Sequence, residues 1–169
     1  GRPLDMDKQA AKVLGLDWDD KHQQSQRLDV YGKNLEILKK KNAVYDDGGA
    51  WKFKVEKGKN LKWADVVHGD VEFSRDVIAD FVIVKSDKFP TYHFASVVDD
   101  HQMQISHVIR GDEWISSTPK HLLLYESFGW GPPTFVHIPP ILGESKKKLS
   151  KREGAKSVLE YIDEGYLPQ

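Results

Sequence analysis

Two short apolar runs, "MQISHVIRG" ending at Gly111 and "FVHIPPIL" beginning at Phe135, bracket a helix-like stretch, and this order constrains the fold more than any other feature of the chain. The stretch between them, "STPKHLLLYESFGWGPP", offers Thr118 as an N-cap, Pro119 at the first helical position, and Gly129 with the prolines as a stop. Strand, helix and strand in that order predict two parallel strands, because parallel neighbours need a crossover and cannot be joined by a tight turn. Downstream, "SVLEYIDEGYL" opens with Ser157 and Glu160 in the spacing of a capping box. A lysine-rich stretch therefore falls between a strand and a helix. The expected class is α/β, and open parallel sheets bind ligands at the carboxyl ends of their strands, where that stretch lies.

The rest of the chain fits around this unit. "DMDKQAAKVL" carries Met6, Ala10, Val13 and Leu14 at helical spacing before Gly15, and predicts a short amphipathic helix. "SQRLDVYGKNLEILKKK" places Leu28, Tyr31, Leu35 and Leu38 three or four apart, with Ser25 as N-cap and lysines in the last turn. After Tyr45 the period becomes two: Trp51, Phe53 and Val55 alternate with lysines, and "NLKWADVVHGDVEF" and "DFVIVKSDKFP" continue in strand-like runs. The middle third is therefore expected to be β-rich. Trp51, Trp63, Tyr125 and Trp130 are expected at the core or its edge.

Composition narrows the function classes. The 169 residues contain no cysteine, which removes disulfides and thiolate-bound metals from consideration within them. No apolar run reaches the length of a membrane span and no secretory signal is visible, so a cytoplasmic protein is expected, without a membrane partner. Net charge is −1, so any contact with nucleic acid has to come from a local patch. The clearest patch is Lys146 to Arg152, with five cations among seven residues and no acid. It lacks the glycine pattern of a P-loop, and two readings compete: a solvated turn, or a loop whose Lys148 and Lys151 close on a polyphosphate.

Two further segments carry candidate chemistry. In "HVIRGDEW", Arg110 ends an apolar strand and needs a partner; either Asp112 or Glu113 beside it serves, or the guanidinium presents its fork to a ligand carboxylate. In "PTYHFASVVDDH", a metal site from Asp99, Asp100 and His101 is disfavoured, since adjacent residues of one regular element point apart. His68, His107, His121 and His137 are scattered and are expected to be packing or surface residues.

The segments "FPTYHFASVVDDHQMQISHVIRGDEWISSTPKHLLLYESFGW", "HIPPILG", "KLSKR" and "SVLEYIDEGYLP", in this order, resemble the catalytic region of glutamyl-tRNA synthetases, which are class I aminoacyl-tRNA synthetases. The resemblance runs from about Trp51 to Gln169, and "LGLDWDD" with "SQRLDVYGKNLEILKKKNAVY" is similar to the stretch that follows the family's first nucleotide motif. It implies a Rossmann-like α/β catalytic fold, here incomplete, with a β-rich inserted segment. Residues 1–45 would be the helical part of the nucleotide-binding domain. Residues 46–80 would be a remnant of the acceptor-binding insertion, and 81–169 the second half of the catalytic domain with the lysine loop and the start of the stem-contact region.

The resemblance also implies roles. Lys148-Leu149-Ser150-Lys151-Arg152 corresponds to the family's Lys-Met-Ser-Lys-Ser signature, with Lys148 and Lys151 neutralising ATP phosphates and Ser150 also at the ATP site. Tyr92, Ser96 and Arg110 map onto the glutamate pocket, and Glu113 onto the region of the nucleotide and the tRNA end. ATP with Mg²⁺, L-glutamate and tRNA(Glu) are the implied cofactors and partners, acting on a monomer. A shortened relative that glutamylates queuosine on tRNA(Asp) and a non-catalytic RNA-binding fragment are the alternatives. Only "DDGGA" stands where the family carries its long insertion, and the His-Ile-Gly-His type motif is not among these residues. The chain by itself is therefore expected not to complete the reaction, and to record parts of a longer protein.

Overall fold

The structure, a computed structural model, describes residues 11–15, 22–143, 146, 148 and 157–167. They fall into two units, one of residues 23–139 and another of the described residues up to 22 and from 140 onward.

In the larger unit a 3-10 turn, Gln24–Gln26, leads into α1, Leu28–Lys40. Tyr31, Leu35 and Leu38 are buried along one face, as their spacing predicts, while Leu28 at the first position stays exposed. Ser25 does not cap this helix. It lies within the 3-10 turn, and the N-cap position falls to Arg27, whose guanidinium has no acceptor with which to cap a helix and instead donates to Asp99, as does Gln24.

Next comes a hairpin, β1 Val44–Asp47 and β2 Ala50–Phe53. Its two-residue turn is Gly48-Gly49, both at positive φ, which is the backbone that lets a tight turn follow the twist of the strands. The Asp46 carboxylate accepts the Gly49 N–H and closes it. The abrupt "DDGGA" stretch is thus a complete hairpin turn. A second hairpin, β3 Leu61–Asp65 and β4 Gly69–Phe73, follows, and then β5, Phe81–Val84. The strands β1, β2 and β5 form one antiparallel sheet in that order.

The second half alternates as the sequence predicts: α2 Tyr92–Gln102, β6 His107–Gly111, a 3-10 stretch Asp112–Ser117, α3 Thr118–Phe128 and β7 Thr134–Ile138. The strands β6 and β7 are parallel and in register, with Arg110 opposite His137. β7 is also parallel to β3, so the order of the second sheet is β4-β3-β7-β6. Helices α2 and α3 supply Phe94, Val97, Val98, Leu123, Leu124, Tyr125 and Phe128 to the core beside Ile83 and Phe135. Among the four aromatics expected at the core, Tyr125 and Trp63 are buried, and Trp51 and Trp130 pack against the buried cluster.

Helix α3 ends at Gly129 in the left-handed region, but it does not begin as expected. The N-cap position is Ser117, and Thr118 is already helical with Pro119 behind it. With helical backbone angles Thr118 lies inside the helix, not at its N-cap, and its hydroxyl accepts from Arg110.

In the other unit, Ser157 and Glu160 form the expected capping box, each side chain accepting the other's backbone N–H, ahead of α4, Val158–Asp163. Of the stretch expected to form the N-terminal helix, residues 11–13 are helical and Gly15 follows at positive φ, while residues 5–10 lie outside the described residues. No helix among the described residues is long and apolar enough to cross a membrane.

Candidate active site

Three neighbouring strands each place one polar residue on the inward register of the sheet. On β3 the alternation buries Leu61, Trp63 and Asp65; on β7 it buries Phe135 and His137; and β6 brings Arg110 beside His137. The strand period thus buries a carboxylate and an imidazole among apolar residues, an arrangement that requires hydrogen-bond partners. His137 Nδ1 lies 2.5 Å from Asp65 Oδ2, and both side chains are fully enclosed. Asp65 Oδ1 accepts the backbone N–H groups of Val67 at 3.0 Å, His68 at 3.1 Å and His137 at 3.3 Å. Burial raises the Asp65 pKa, but the bonds from the His137 side chain and these backbone groups outweigh it and hold the carboxyl below its ordinary range.

On the far side of the ring, Arg110 Nε donates to His137 Nε2 at 3.1 Å. Arg110 Nη2 donates to Thr118 Oγ1 at 2.7 Å and reaches the Trp114 carbonyl at 3.5 Å. Thr118 is fully buried, with Oγ1 3.1 Å from His137 Nε2. The remaining nitrogen, Nη1, is buried and, like Trp63 Nε1, Arg75 Nε and the Tyr125 hydroxyl, has no partner among the described residues. The aromatic rings of Trp114 and Phe135 flank the guanidinium at 5.9 and 5.6 Å. An unsatisfied buried donor on a charged group is costly, by about 1–3 kcal/mol or more, and marks a place for an incoming acceptor.

The expected neighbours of Arg110 do other things. Asp112 accepts from His68 Nε2 at 2.8 Å, a bond that raises the His68 pKa. The Glu113 carboxylate lies over Gly111, where a Cβ would run into it. Arg110 is held instead by His137, 27 positions later in the chain.

Tyr92 opens α2 with its side chain half exposed and its ring 4.6 Å from that of Trp114, so Trp114 touches both Tyr92 and Arg110. Ser96 turns its hydroxyl back to the Tyr92 carbonyl at 2.8 Å, leaving the oxygen lone pairs for an outside donor. Behind Tyr92, His93 Nδ1 and His121 Nε2 are 3.0 Å apart. Burial drives the His121 pKa down to about 3, with the positive charge of Arg110 adding to it, and His93 is lowered for the same first reason. Both rings therefore stay neutral at physiological pH.

Asp99, Asp100 and His101 diverge on α2. Asp99 turns to Arg27 and Tyr31, Asp100 sits beside the buried Tyr125, and His101 stacks on Trp130 at 3.7 Å. No group of three His, Cys, Asp or Glu residues among the described residues could hold a metal ion. In the lysine-rich stretch, Lys148 is exposed and bridges to Leu142 in an antiparallel pair, while Ser150, Lys151 and Arg152 lie outside the described residues.

Asp65, His137 and Thr118 are the members of this constellation that the sequence did not single out as site residues. A signal was present in the alternation: "LKWAD" and "FVHI" each place a polar residue on a strand's apolar face, with no cation next to the aspartate.

The family model for tRNA synthetases class I (E and Q), catalytic domain, matches residues 39–169. The glutamate–tRNA ligase of Dehalococcoides mccartyi is 41% identical over 201 aligned residues, covering 92% of this chain and 41% of the relative. That alignment is longer than the chain's 169 residues, so the relative carries residues without a counterpart here. The glutamate–tRNA ligase of Clostridioides difficile is 58% identical over 109 residues, 64% of this chain and 22% of the relative. A crystal structure of a glutamate tRNA ligase from Elizabethkingia meningosepticum, in complex with its amino acid, superposes with a TM-score of 0.84 at 28% identity. It is covered over 95% of this chain and 47% of that one. The chain thus spans less than half the length of the relatives it matches.

Proposed function

The chain belongs to the class I tRNA synthetases for glutamate and glutamine, and within their catalytic domain we propose that it supplies the amino-acid site and the lysine loop of a glutamate–tRNA ligase. Arg110 binds a carboxylate of L-glutamate, Tyr92 and Ser96 line the same pocket, and Glu113 lies beside the nucleotide and the tRNA end. The observation that carries this reading is the Arg110 guanidinium. Among the described residues its partnered donors all go to neutral acceptors, and Nη1 is buried with none. Such a cation favours an acidic ligand over a neutral one, because a carboxylate meets both the vacant donor and the charge.

Lys148 and Lys151, with Ser150, hold the phosphates of ATP. A carboxylate oxygen of glutamate attacks the α-phosphorus, the bond to the bridging oxygen breaks, and pyrophosphate leaves with the electron pair. The two lysines stabilise the charge that grows on it. A hydroxyl of the 3′-terminal adenosine of tRNA(Glu) then attacks the adenylate carbonyl, and AMP leaves. Mg²⁺ would be carried by the ATP phosphates and would neutralise part of their charge; the described residues offer no dedicated ligand set of their own for it. The protein acts as a cytoplasmic monomer.

The test is aminoacylation by the full-length protein with ATP and purified tRNA. The expected result is glutamate on tRNA(Glu), with glutamine rejected. Glutamylation of tRNA(Asp) alone would replace this reading with the queuosine-modifying one. Salt-sensitive RNA binding with no amino-acid-dependent pyrophosphate exchange would remove the enzyme reading altogether. The Lys151→Ala variant should lose adenylate formation and keep its melting temperature; unchanged exchange would count against the loop's role.

A further inference from the structure

We infer that Asp65 and His137 form a buried positioning pair for Arg110: Asp65 fixes the His137 ring, and the ring fixes the guanidinium while keeping the Asp65 carboxylate out of its fork. The inference rests on the reading of Arg110 as the glutamate-binding cation.

The tautomer of His137 is dictated from both ends. The Asp65 carboxylate already takes three backbone N–H groups and is ionised, so it can only accept, and the proton must sit on Nδ1. Arg110 can only donate, so Nε2 must present its lone pair. A ring with the proton on Nε2, or a doubly protonated ring, would set N–H against N–H. A single orientation, rotamer and proton position of His137 therefore satisfies both neighbours, and through it the plane of the Arg110 guanidinium is set.

The imidazole also separates charges. A carboxylate placed directly on Arg110 would take two of its donors side by side and neutralise it. With His137 interposed, Asp65 still stabilises the cation across the ring, but Nη1 keeps its vacancy. The topology favours this arrangement. The parallel register sets Arg110 opposite His137, and Asp65 pairs with Phe135, two residues before His137 on the same strand. The three groups therefore lie side by side across adjoining, hydrogen-bonded strands.

The experiment measures KM for glutamate and for ATP in tRNA-dependent pyrophosphate exchange by the full-length protein, with His137→Leu, His137→Gln, Asp65→Asn and Arg110→Ala. His137→Leu removes the acceptor and should raise KM for glutamate on the order of tenfold or more, with KM for ATP within about twofold. His137→Gln places an amide oxygen near the Nε2 position and should recover most of that loss. Asp65→Asn can stabilise the wrong tautomer and should raise KM for glutamate in the same selective way. Should His137→Leu fail to fold, Asp65→Asn and His137→Gln carry the test, the former selectively impaired and the latter nearly normal. Equal loss in the Leu and Gln variants, or parallel rises in both KM values, would show a merely structural pair and overturn the inference. If Arg110→Ala raises KM for glutamate and the other variants do not, the positioning pair fails and the Arg110 reading stands. If Arg110→Ala leaves that KM unchanged, the Arg110 reading fails and the inference falls with it.

Discussion

Two aspartates of this protein face an arginine in opposite ways. Asp99 meets Arg27 directly at 3.0 Å and also accepts from Tyr31 at 2.7 Å and Gln24 at 3.2 Å. Both oxygens of Asp99 are engaged, and its charge meets that of Arg27 directly. Asp65 approaches Arg110 only through His137, and the guanidinium keeps a buried donor with nothing to bind. The first arrangement ties α1 to α2. The second stores an unmet demand for an anion, and the difference separates a structural ion pair from a site even though the residue types are alike.

The strongest test of this contrast is a pair of alanine variants in the full-length protein. Arg110→Ala should lower kcat/KM for glutamate on the order of 100-fold, measured by pyrophosphate exchange, because a charge-assisted contact with the ligand is lost. Arg27→Ala should leave that ratio nearly unchanged and reduce unfolding free energy by about 2 kcal/mol in a denaturant titration. This is less than for a fully enclosed pair, because Arg27 remains partly solvated. A reversed pattern would erase the distinction.

The neighbour of Asp99 sharpens it further. Burial and the adjacent Asp99 raise the Asp100 pKa to about 6, only partly offset by Arg110. Its pKa in the unfolded chain is about 4. Between these values the folded chain holds a proton that the unfolded chain has released, so stability declines as pH rises from about 4 through about 6. The Asp100→Asn variant should lose this decline. It should melt higher than the parent at pH 7, by about 1 kcal/mol after allowance for solvent screening, and no higher at pH 4. Melting curves at both pH values check the sign.

The smallest effect concerns Glu113. In Gly111→Ala the new methyl displaces the Glu113 carboxylate from its place over Gly111, and stability should fall by no more than about 1 kcal/mol. If Glu113 serves the nucleotide, KM for ATP should rise a few-fold while KM for glutamate stays put; unchanged values for both would detach Glu113 from the site.

Much of this was legible in the residues. The helical spacing of Tyr31, Leu35 and Leu38, the alternation in β3, the strand–helix–strand order of β6, α3 and β7, and the Ser157–Glu160 box all depend on neighbours a few positions apart. Local rules failed at Ser25 and Thr118, and for related reasons. Both lie next to a long-range polar cluster: beside Ser25, Gln24 and Arg27 donate to Asp99 and the 3-10 turn moves the helix start to Arg27, while the Thr118 hydroxyl itself accepts from Arg110. Arg110 was flagged as needing a partner, and Asp112 and Glu113 were the neighbours on offer, but Asp112 was already engaged by His68.

The sequence by itself determined where strands and helices form, which residues carry charge, and the order of motifs that marks the family, because periodicity, capping and turn chemistry act over a few residues. Only the tertiary structure decided that Asp65, His137 and Arg110 form one chain. Asp65 and His137 stand 72 positions apart, and parallel pairing of β3, β7 and β6 brings them together. The register of strands far apart in sequence follows from how the whole core packs, and no window of neighbouring residues contains it.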